Sequence, residues 1–191
     1  ILEFTLKDLT ADGKISDKDF VDRVDLLSSL GYTVMISNYL KHYKMLEYLS
    51  TIGKGNLMGL ILGVYNLQAI FDERYYDNLP GGLFEAFGRG FGHKVKLFLY
   101  PAINVDDGSL YDIDTIRIPD NLRGLLKYMI DNDKIAPILE YDKNYLHIMS
   151  DDVLSKIKSG GTSWEEDVPY QVVKAIKFFE LFGYENKAIG K

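Results

Sequence analysis

The sequence contains no cysteine, which excludes disulfide bonds, thiolate metal ligands and a cysteine nucleophile together. It also lacks a basic block, because 22 basic and 28 acidic residues are interspersed and give a net charge of −6. No apolar run reaches the roughly 18 to 20 residues that a membrane-spanning helix needs. We therefore expect a soluble, cytoplasmic protein with neither nucleic acid nor a membrane as its partner.

Standard catalytic and ligand-binding motifs are absent as well. His42, His93 and His147 do not have the spacing of zinc ligands. The sequence has no G-x-S-x-G elbow, no H-x-G-H run, no phosphate-binding P-loop and no dinucleotide fingerprint. We expect a short helix from Leu83 to Phe91, with Gly81 and Gly82 forming a break before it and the stretch Gly88 to Gly92 ending it. Arg89 lies within this stretch, and its guanidinium could bind an anion through two donors. The alternative is a solvent-exposed arginine at a helix end.

Short apolar strands alternate with amphipathic helices along the 191 residues. Four strands are predicted over residues 1–6, 32–36, 57–65 and 95–100, and helices lie between them. This order predicts an α/β fold, with a Rossmann-like three-layer parallel sheet as a core over residues 1–101. Residues 102–191 are expected to form a C-terminal extension that closes the fold with helices, so that 1–191 is a single domain. Because residue 1 already belongs to a strand, we expect the chain to be the C-terminal part of a longer one.

Two local patterns carry further expectations. A helix is predicted from residue 17 to residue 30, with an apolar face that recurs at helical spacing. The residues of this face are Phe20, Val21, Val24, Leu27 and Leu30. Residues 110–118 alternate acidic and apolar side chains, which predicts an exposed strand or hairpin arm.

Polar residues follow the predicted strands at the point where each strand ends. In an open parallel sheet, ligands bind beyond the carboxyl ends of the strands, where helix N-termini present unpaired amides. The candidate ligand-binding residues are Asp8, Asp12, Ser37, Asn38, Asn66 and Arg89. Tyr65, at the end of the third strand, lies beside Asn66 in the sequence. Asp8 and Asp12 would suit a hard cation such as Mg²⁺, but the sequence identifies neither a cofactor nor a metal site. The simpler alternative is that these residues form turns and helix caps.

The first loop admits two other interpretations. Residues 8–19 can be aligned with the calcium loop of an EF-hand, from Asp8 at the first position to Asp19 at the twelfth. A strand precedes this loop where an EF-hand has a helix, and Asp19 replaces the usual glutamate. The first two strands also resemble those of haloacid-dehalogenase-type phosphohydrolases, with Asp8 as nucleophile and Ser37 as phosphate binder. The paired Asp-x-Asp of those enzymes is missing.

The segments 33–43 and 62–89 resemble the C-terminal half of a bacterial protein family. Segments 96–101, 163–169 and 181–184 fit the same family, so the resemblance covers nearly the whole chain. Its members are often labelled nicotinate or nicotinamide nucleotide adenylyltransferase, and sometimes TonB-dependent receptor. The first label implies a nucleotide ligand, whereas the second is at odds with alternating strands and helices. The resemblance supplies no catalytic residues.

The sequence thus favours a domain that binds a small phosphorylated molecule or a nucleotide at its strand ends. Such a domain would be part of a nucleotide-metabolising enzyme, for example a nucleotidyltransferase. The main alternative is a non-catalytic interaction or regulatory module that meets a partner domain or a second copy of itself. The 14 tyrosines support this alternative, since they cluster at Tyr39, Tyr43, Tyr48, Tyr75 and Tyr76 and would suit an interface. The same tyrosines would also suit the edge of a core.

Overall fold

The computed structural model describes residues 1–5, 17–92 and 94–185. Its strands are β1 (Leu2–Thr5), β2 (Val34–Ser37), β3 (Met58–Gly63), β4 (Val95–Tyr100), β5 (Ala102–Ile103), β6 (Leu110–Tyr111) and β7 (Ile135–Pro137). Its α-helices are α1 (Asp17–Ser29), α2 (His42–Ile52), α3 (Val64–Ile70), α4 (Gly82–Phe91), α5 (Arg123–Asp131), α6 (Ser150–Lys158) and α7 (Tyr170–Phe179). Two compact units result, one made of Ile1–Leu40 with Ile148–Lys191 and one made of Lys41–His147.

The first unit contains a parallel strand pair and a helical core. β1 and β2 pair in parallel, with Leu2 opposite Val34 and Thr5 opposite Ser37. The core centres on Trp164, which is fully buried and contacts apolar side chains of α6, α7 and the segment after α7. The Trp164 indole N–H donates to the carbonyl of Gly161 at 3.0 Å, so this buried polar group is satisfied.

The second unit is built on a three-stranded parallel sheet in the order β3–β4–β7. β4 is central, and its side chains alternate between buried and partly exposed, as the two-residue period of a strand requires. Helix α3 follows β3 without a linker and buries Val64, Leu67 and Ile70, which recur every three residues along one face. β5 and β6 form a small antiparallel pair just after β4.

The predicted α/β class is confirmed, since strands alternate with helices and the longer strands pair in parallel. The predicted core 1–101 contributes to both units, which divide after Leu40 and after His147. The single domain over 1–191 and its extension 102–191 stay predictions. None of the helices within the described ranges is long and apolar enough to cross a membrane.

The third strand differs from its prediction at both its end and its burial. The apolar run 57–65 predicted a buried strand, but β3 ends at Gly63 and α3 begins at Val64. Ile61 is 67% exposed, because β3 lies at the end of the strand order of its sheet and one of its faces is open. Tyr65 and Asn66 consequently belong to the first turn of a helix.

The predicted helix end within the stretch Gly88 to Gly92 agrees with the structure, because α4 continues through Phe91 and Gly92 is its C-cap. Gly90 lies inside α4, and a β-carbon there would be 3.3 Å from the backbone of Tyr43, so the glycine permits close packing of α4 on α2. In the predicted arm 110–118 only Leu110–Tyr111 is a strand, because Asp112 accepts the N–H groups of Asp114 and Thr115 and turns the chain.

Candidate functional site

Ser37 ends β2 and is 8% exposed. Its hydroxyl donates to Oε1 of Glu3 at 2.5 Å and accepts the N–H of Tyr39 at 3.2 Å. The Thr5 hydroxyl donates to the same Glu3 oxygen at 3.0 Å. Ser37 therefore uses its proton within the strand pair, beside a carboxylate that would repel a phosphate. These contacts are those of a structural strand-end residue.

The other predicted site residues of the first unit give less information. Asn38 follows Ser37 and is exposed. Asp8 and Asp12 lie outside the described residues. The calcium-loop and phosphohydrolase hypotheses depend mainly on these two residues and stay predictions. Asp19, the last position of the calcium-loop alignment, forms an ion pair with Lys158 at 3.1 Å.

Asn66 lies where the sequence predicted it, beyond the carboxyl end of β3. It is the third residue of α3 and is exposed. Its Nδ2 lies 3.9 Å from the position that a β-carbon on Gly63 would take, so its side chain folds back toward the strand end.

Arg89 belongs to the last turn of α4, six residues before β4 begins at Val95. It therefore approaches the amino ends of the parallel strands, whereas Asn66 follows a carboxyl end. Nη2 of Arg89 forms an ion pair with Oε1 of Glu85 at 2.6 Å, and Glu85 Oε2 accepts the N–H of Gly81. The structure thus does not bring Arg89 and Asn66 to one edge of the sheet, and the Arg89 charge is paired.

A cleft of about 700 Å³ lies in the second unit beside α3. Its lining includes Tyr65 and Gln68 of α3, the charged run Asp72, Glu73 and Arg74, and Arg117 with the two residues that follow it. This volume is typical of sites for small molecules. Because Tyr65 comes two residues after β3, the cleft begins at the carboxyl end of that strand.

Tyr111 supports the cleft from behind and is 5% exposed. Its ring packs on the ring of Tyr65 with centroids 5.0 Å apart. Its hydroxyl oxygen lies 3.0 Å from Oε1 of Gln68 and accepts the backbone N–H of Arg117 at 2.9 Å. One buried side chain therefore contacts three residues of the cleft wall, two from α3 and one from the segment that contains Arg117.

The charged side chains of the cleft wall differ in whether they are already paired with one another. Asp72 binds the Arg74 guanidinium through both carboxylate oxygens, at 3.0 and 2.7 Å. This hydrogen bonding holds the pKa of Asp72 below its usual value and raises that of Arg74, so both are charged at neutral pH. The side chain of Arg117 is exposed and forms no hydrogen bond or ion pair with another side chain within the described ranges. Its charge acts on Asp107 only weakly, since the lowered pKa of Asp107 is due first to hydrogen bonds from Ser109 and only then to Arg117. Arg117 is thus the cation available to a ligand.

No cluster of three or more histidine, aspartate or glutamate residues that could hold a metal ion occurs among residues 1–5, 17–92 and 94–185. The Mg²⁺ hypothesis depends on Asp8 and Asp12 and stays a prediction.

Comparisons with known proteins place the chain in no family, since no family model, no curated protein and no solved structure matches it.

Sequence reasoning missed Gln68, Tyr111 and Arg117. Tyr65 was found by the strand-end rule, and a helix starting at Val64 would have placed Gln68 one turn beyond it on the same face. The sequence offers no comparable signal for Arg117, which reaches the cleft through a turn 14 residues after the last residue of β5.

Proposed function

We propose that the second unit binds a small phosphorylated molecule in the cleft beside α3, with Arg117 as the residue that receives the phosphate. The single observation that carries this proposal is the exposed guanidinium of Arg117 in the cleft wall, which forms no hydrogen bond or ion pair with a side chain in the described structure and has only a weaker attraction to Asp107. A guanidinium presents donors in a planar fork that matches two oxygens of a phosphate or carboxylate.

Among phosphorylated ligands, a nucleoside monophosphate suits the cleft wall best. Tyr65 is 38% exposed and is backed by Tyr111, so it offers a supported aromatic surface to a planar ring. Phosphate on Arg117 and a base or pyridine ring on Tyr65 would use two parts of the cleft wall. This agrees with the nucleotide ligand that the family resemblance implies, and nucleotidyl transfer is the reaction class that the resemblance adds to the proposal.

The Rossmann-like arrangement and cytoplasmic localisation belong to this proposal too. The parallel order β3–β4–β7, with the cleft at a strand's carboxyl end, is the local pattern of doubly wound nucleotide-binding folds. The absence of cysteine suits a reducing compartment. The tyrosine-rich interface is less well supported, because Tyr43 and Tyr76 are 3% and 2% exposed and belong to the core.

Thermal unfolding with added ligands tests the proposal. We expect AMP and ribose 5-phosphate to raise the melting temperature and adenosine and ribose to leave it unchanged, because a ligand of the native state stabilises it by RT ln(1 + [L]/Kd). A Kd of about 0.1 mM would give about 2.7 kcal/mol at about 10 mM ligand. Arg117→Ala should abolish the shift. Arg123→Ala, at an exposed arginine outside the cleft wall, should keep it.

Two results would overturn the proposal. One is a wild-type protein whose melting temperature does not change with either phosphorylated compound. The other is a shift of equal size in the Arg117→Ala and Arg123→Ala variants.

A further inference from the structure

The hydrogen bonds of Tyr111 define which atom of Gln68 a ligand meets. The backbone nitrogen of Arg117 carries a proton and can act only as a donor, so the Tyr111 oxygen accepts from it at 2.9 Å. The single proton of the Tyr111 hydroxyl is then available for its other neighbour, the Gln68 side chain, 3.0 Å away. The structure places the amide oxygen Oε1 there, and it accepts this proton.

The amide of Gln68 is therefore oriented by its surroundings. With Oε1 bound to Tyr111, the Nε2 group is the half of the amide left for the cleft, and it has no other hydrogen-bond partner in the parts of the chain that the structure describes. An NH₂ group donates and does not accept. Together with the Arg117 guanidinium, the cleft then presents donors from two sides.

We infer that Gln68 is a ligand-binding residue whose Nε2 donates to an oxygen of the bound molecule, and that Tyr111 is the positioning residue that sets this orientation. The inference rests on the proposed function and sharpens it. The group held between Gln68 and Arg117 must carry acceptor oxygens and no proton at the contact, as a phosphate or carboxylate does. A ligand with an ammonium group at that point would present a donor to two donors.

Gln68→Glu is the direct test, because it keeps the shape of the side chain and keeps an oxygen for the Tyr111 hydroxyl. The second oxygen of the glutamate replaces the Nε2 donor by a negatively charged acceptor. We expect the affinity for AMP, measured by calorimetric titration, to fall about ten-fold or more, since a donor to a charged group is lost. The melting temperature without ligand should stay near that of the wild type.

Gln171→Glu is the matched control, because Gln171 is the only other glutamine in the sequence and is exposed on α7, in the first unit. This variant makes the same change in net charge and should bind AMP with wild-type affinity.

Tyr111→Phe tests the positioning role. It keeps the ring that packs on Tyr65 but removes the hydroxyl, so the Gln68 amide can turn either end toward the cleft. We expect the AMP affinity of Tyr111→Phe to fall about three-fold or more. Adding Gln68→Glu to Tyr111→Phe should cause a smaller further loss than Gln68→Glu causes in the wild type, because the effects of coupled residues are not additive. The side-chain NH₂ signals of Gln68 in a ¹⁵N correlation spectrum should shift with AMP in the wild-type protein.

The outcomes separate the two levels of the argument. If AMP and ribose 5-phosphate fail to bind the wild type, the proposed function is overturned and this inference with it. If the wild type binds AMP through Arg117 but Gln68→Glu binds equally well, the inference alone is overturned. Additive effects of Tyr111→Phe and Gln68→Glu would overturn the positioning role of Tyr111.

Discussion

The carboxylate of Asp22 accepts the backbone N–H of Phe182 at 2.6 Å, although 160 residues separate them in the sequence. Asp22 is 6% exposed and also pairs with Lys18 at 3.0 Å. Phe182 has a φ of 58°, in the left-handed region, and its side chain belongs to the core around Trp164. Asp22 thus fixes the chain after α7 to α1 within the first unit.

Asp22→Ala should destabilise the protein by about 2 kcal/mol, because it leaves a buried N–H without an acceptor. Asp22→Asn keeps an acceptor oxygen and should cost less, about 1 kcal/mol. Urea unfolding measures both. Asp25→Ala, three residues further along the same helix at an exposed position, is the control. Equal midpoints for Asp22→Ala and Asp25→Ala would show that the contact contributes nothing to stability.

Glu180 ends α7 in the left-handed conformation, with φ 50° and ψ 45°, and its N–H donates to the carbonyl of Ile176. A β-carbon is unfavourable in this conformation, and glycine is the preferred residue at such helix ends. Glu180→Gly should therefore stabilise the protein by about 0.5 to 1 kcal/mol in urea unfolding. Glu180→Ala removes the same side-chain charge but keeps the β-carbon. The prediction is wrong if the alanine variant gains as much as the glycine variant.

Tyr76 predicts a particular loss of stability at alkaline pH. Burial, with smaller contributions from Tyr75 and Tyr43, raises the pKa of its hydroxyl, which donates to the carbonyl of Ile70 at 2.8 Å. Below the unfolded-state pKa of about 10, Tyr76 is protonated in both states and its contribution is constant. Above it, only the unfolded chain ionises, so this group lowers the free energy of unfolding by about 1.4 kcal/mol per pH unit.

Tyr76→Phe should therefore be less stable than the wild type at pH 7, by about 1 kcal/mol for the lost hydrogen bond. Between pH 10 and pH 11 its stability should fall less steeply than that of the wild type. Urea unfolding at the three pH values checks both statements. Tyr145→Phe, at a tyrosine that is 58% exposed, should keep the wild-type slope. Parallel curves for Tyr76→Phe and the wild type would contradict the assignment.

The sequence predicted those elements whose signal is local. The strand predicted at 95–100 and the helix predicted to end at residue 91 agree with β4 and α4. Periodic apolar residues indicate that one face is buried, and flanking glycines mark where an element ends. The run 57–65 was misjudged, since an apolar run carries no period when a strand passes directly into a buried helix.

Contacts between distant segments could not be predicted from one sequence. On α1 the predicted apolar face included Val21, yet Val21 is 48% exposed while its neighbour Asp22 is buried, because Phe182 supplies a hydrogen-bond partner. The cleft is a similar case. Gln68 and Tyr111 are 43 residues apart, and no local pattern relates them. The strand-end rule found Tyr65 and Asn66 because the ends of parallel strands depend on topology alone.

Breaking the ion pair between Asp72 and Arg74 should raise the affinity for AMP. Asp72→Asn keeps an oxygen to accept the backbone N–H of Arg74, which Asp72 now accepts at 3.0 Å, but removes one negative charge from the cleft wall. We expect AMP to bind about two- to five-fold more tightly at low salt, as one surface charge a few ångströms away implies, and expect the gain to shrink at high salt through screening. Calorimetric titration at both ionic strengths measures this. Asp131→Asn, which frees Lys127 away from the cleft wall, should leave the affinity unchanged. Weaker AMP binding in Asp72→Asn would contradict this prediction. It would mean that Asp72 holds Arg74 in position for the ligand and does not repel the phosphate.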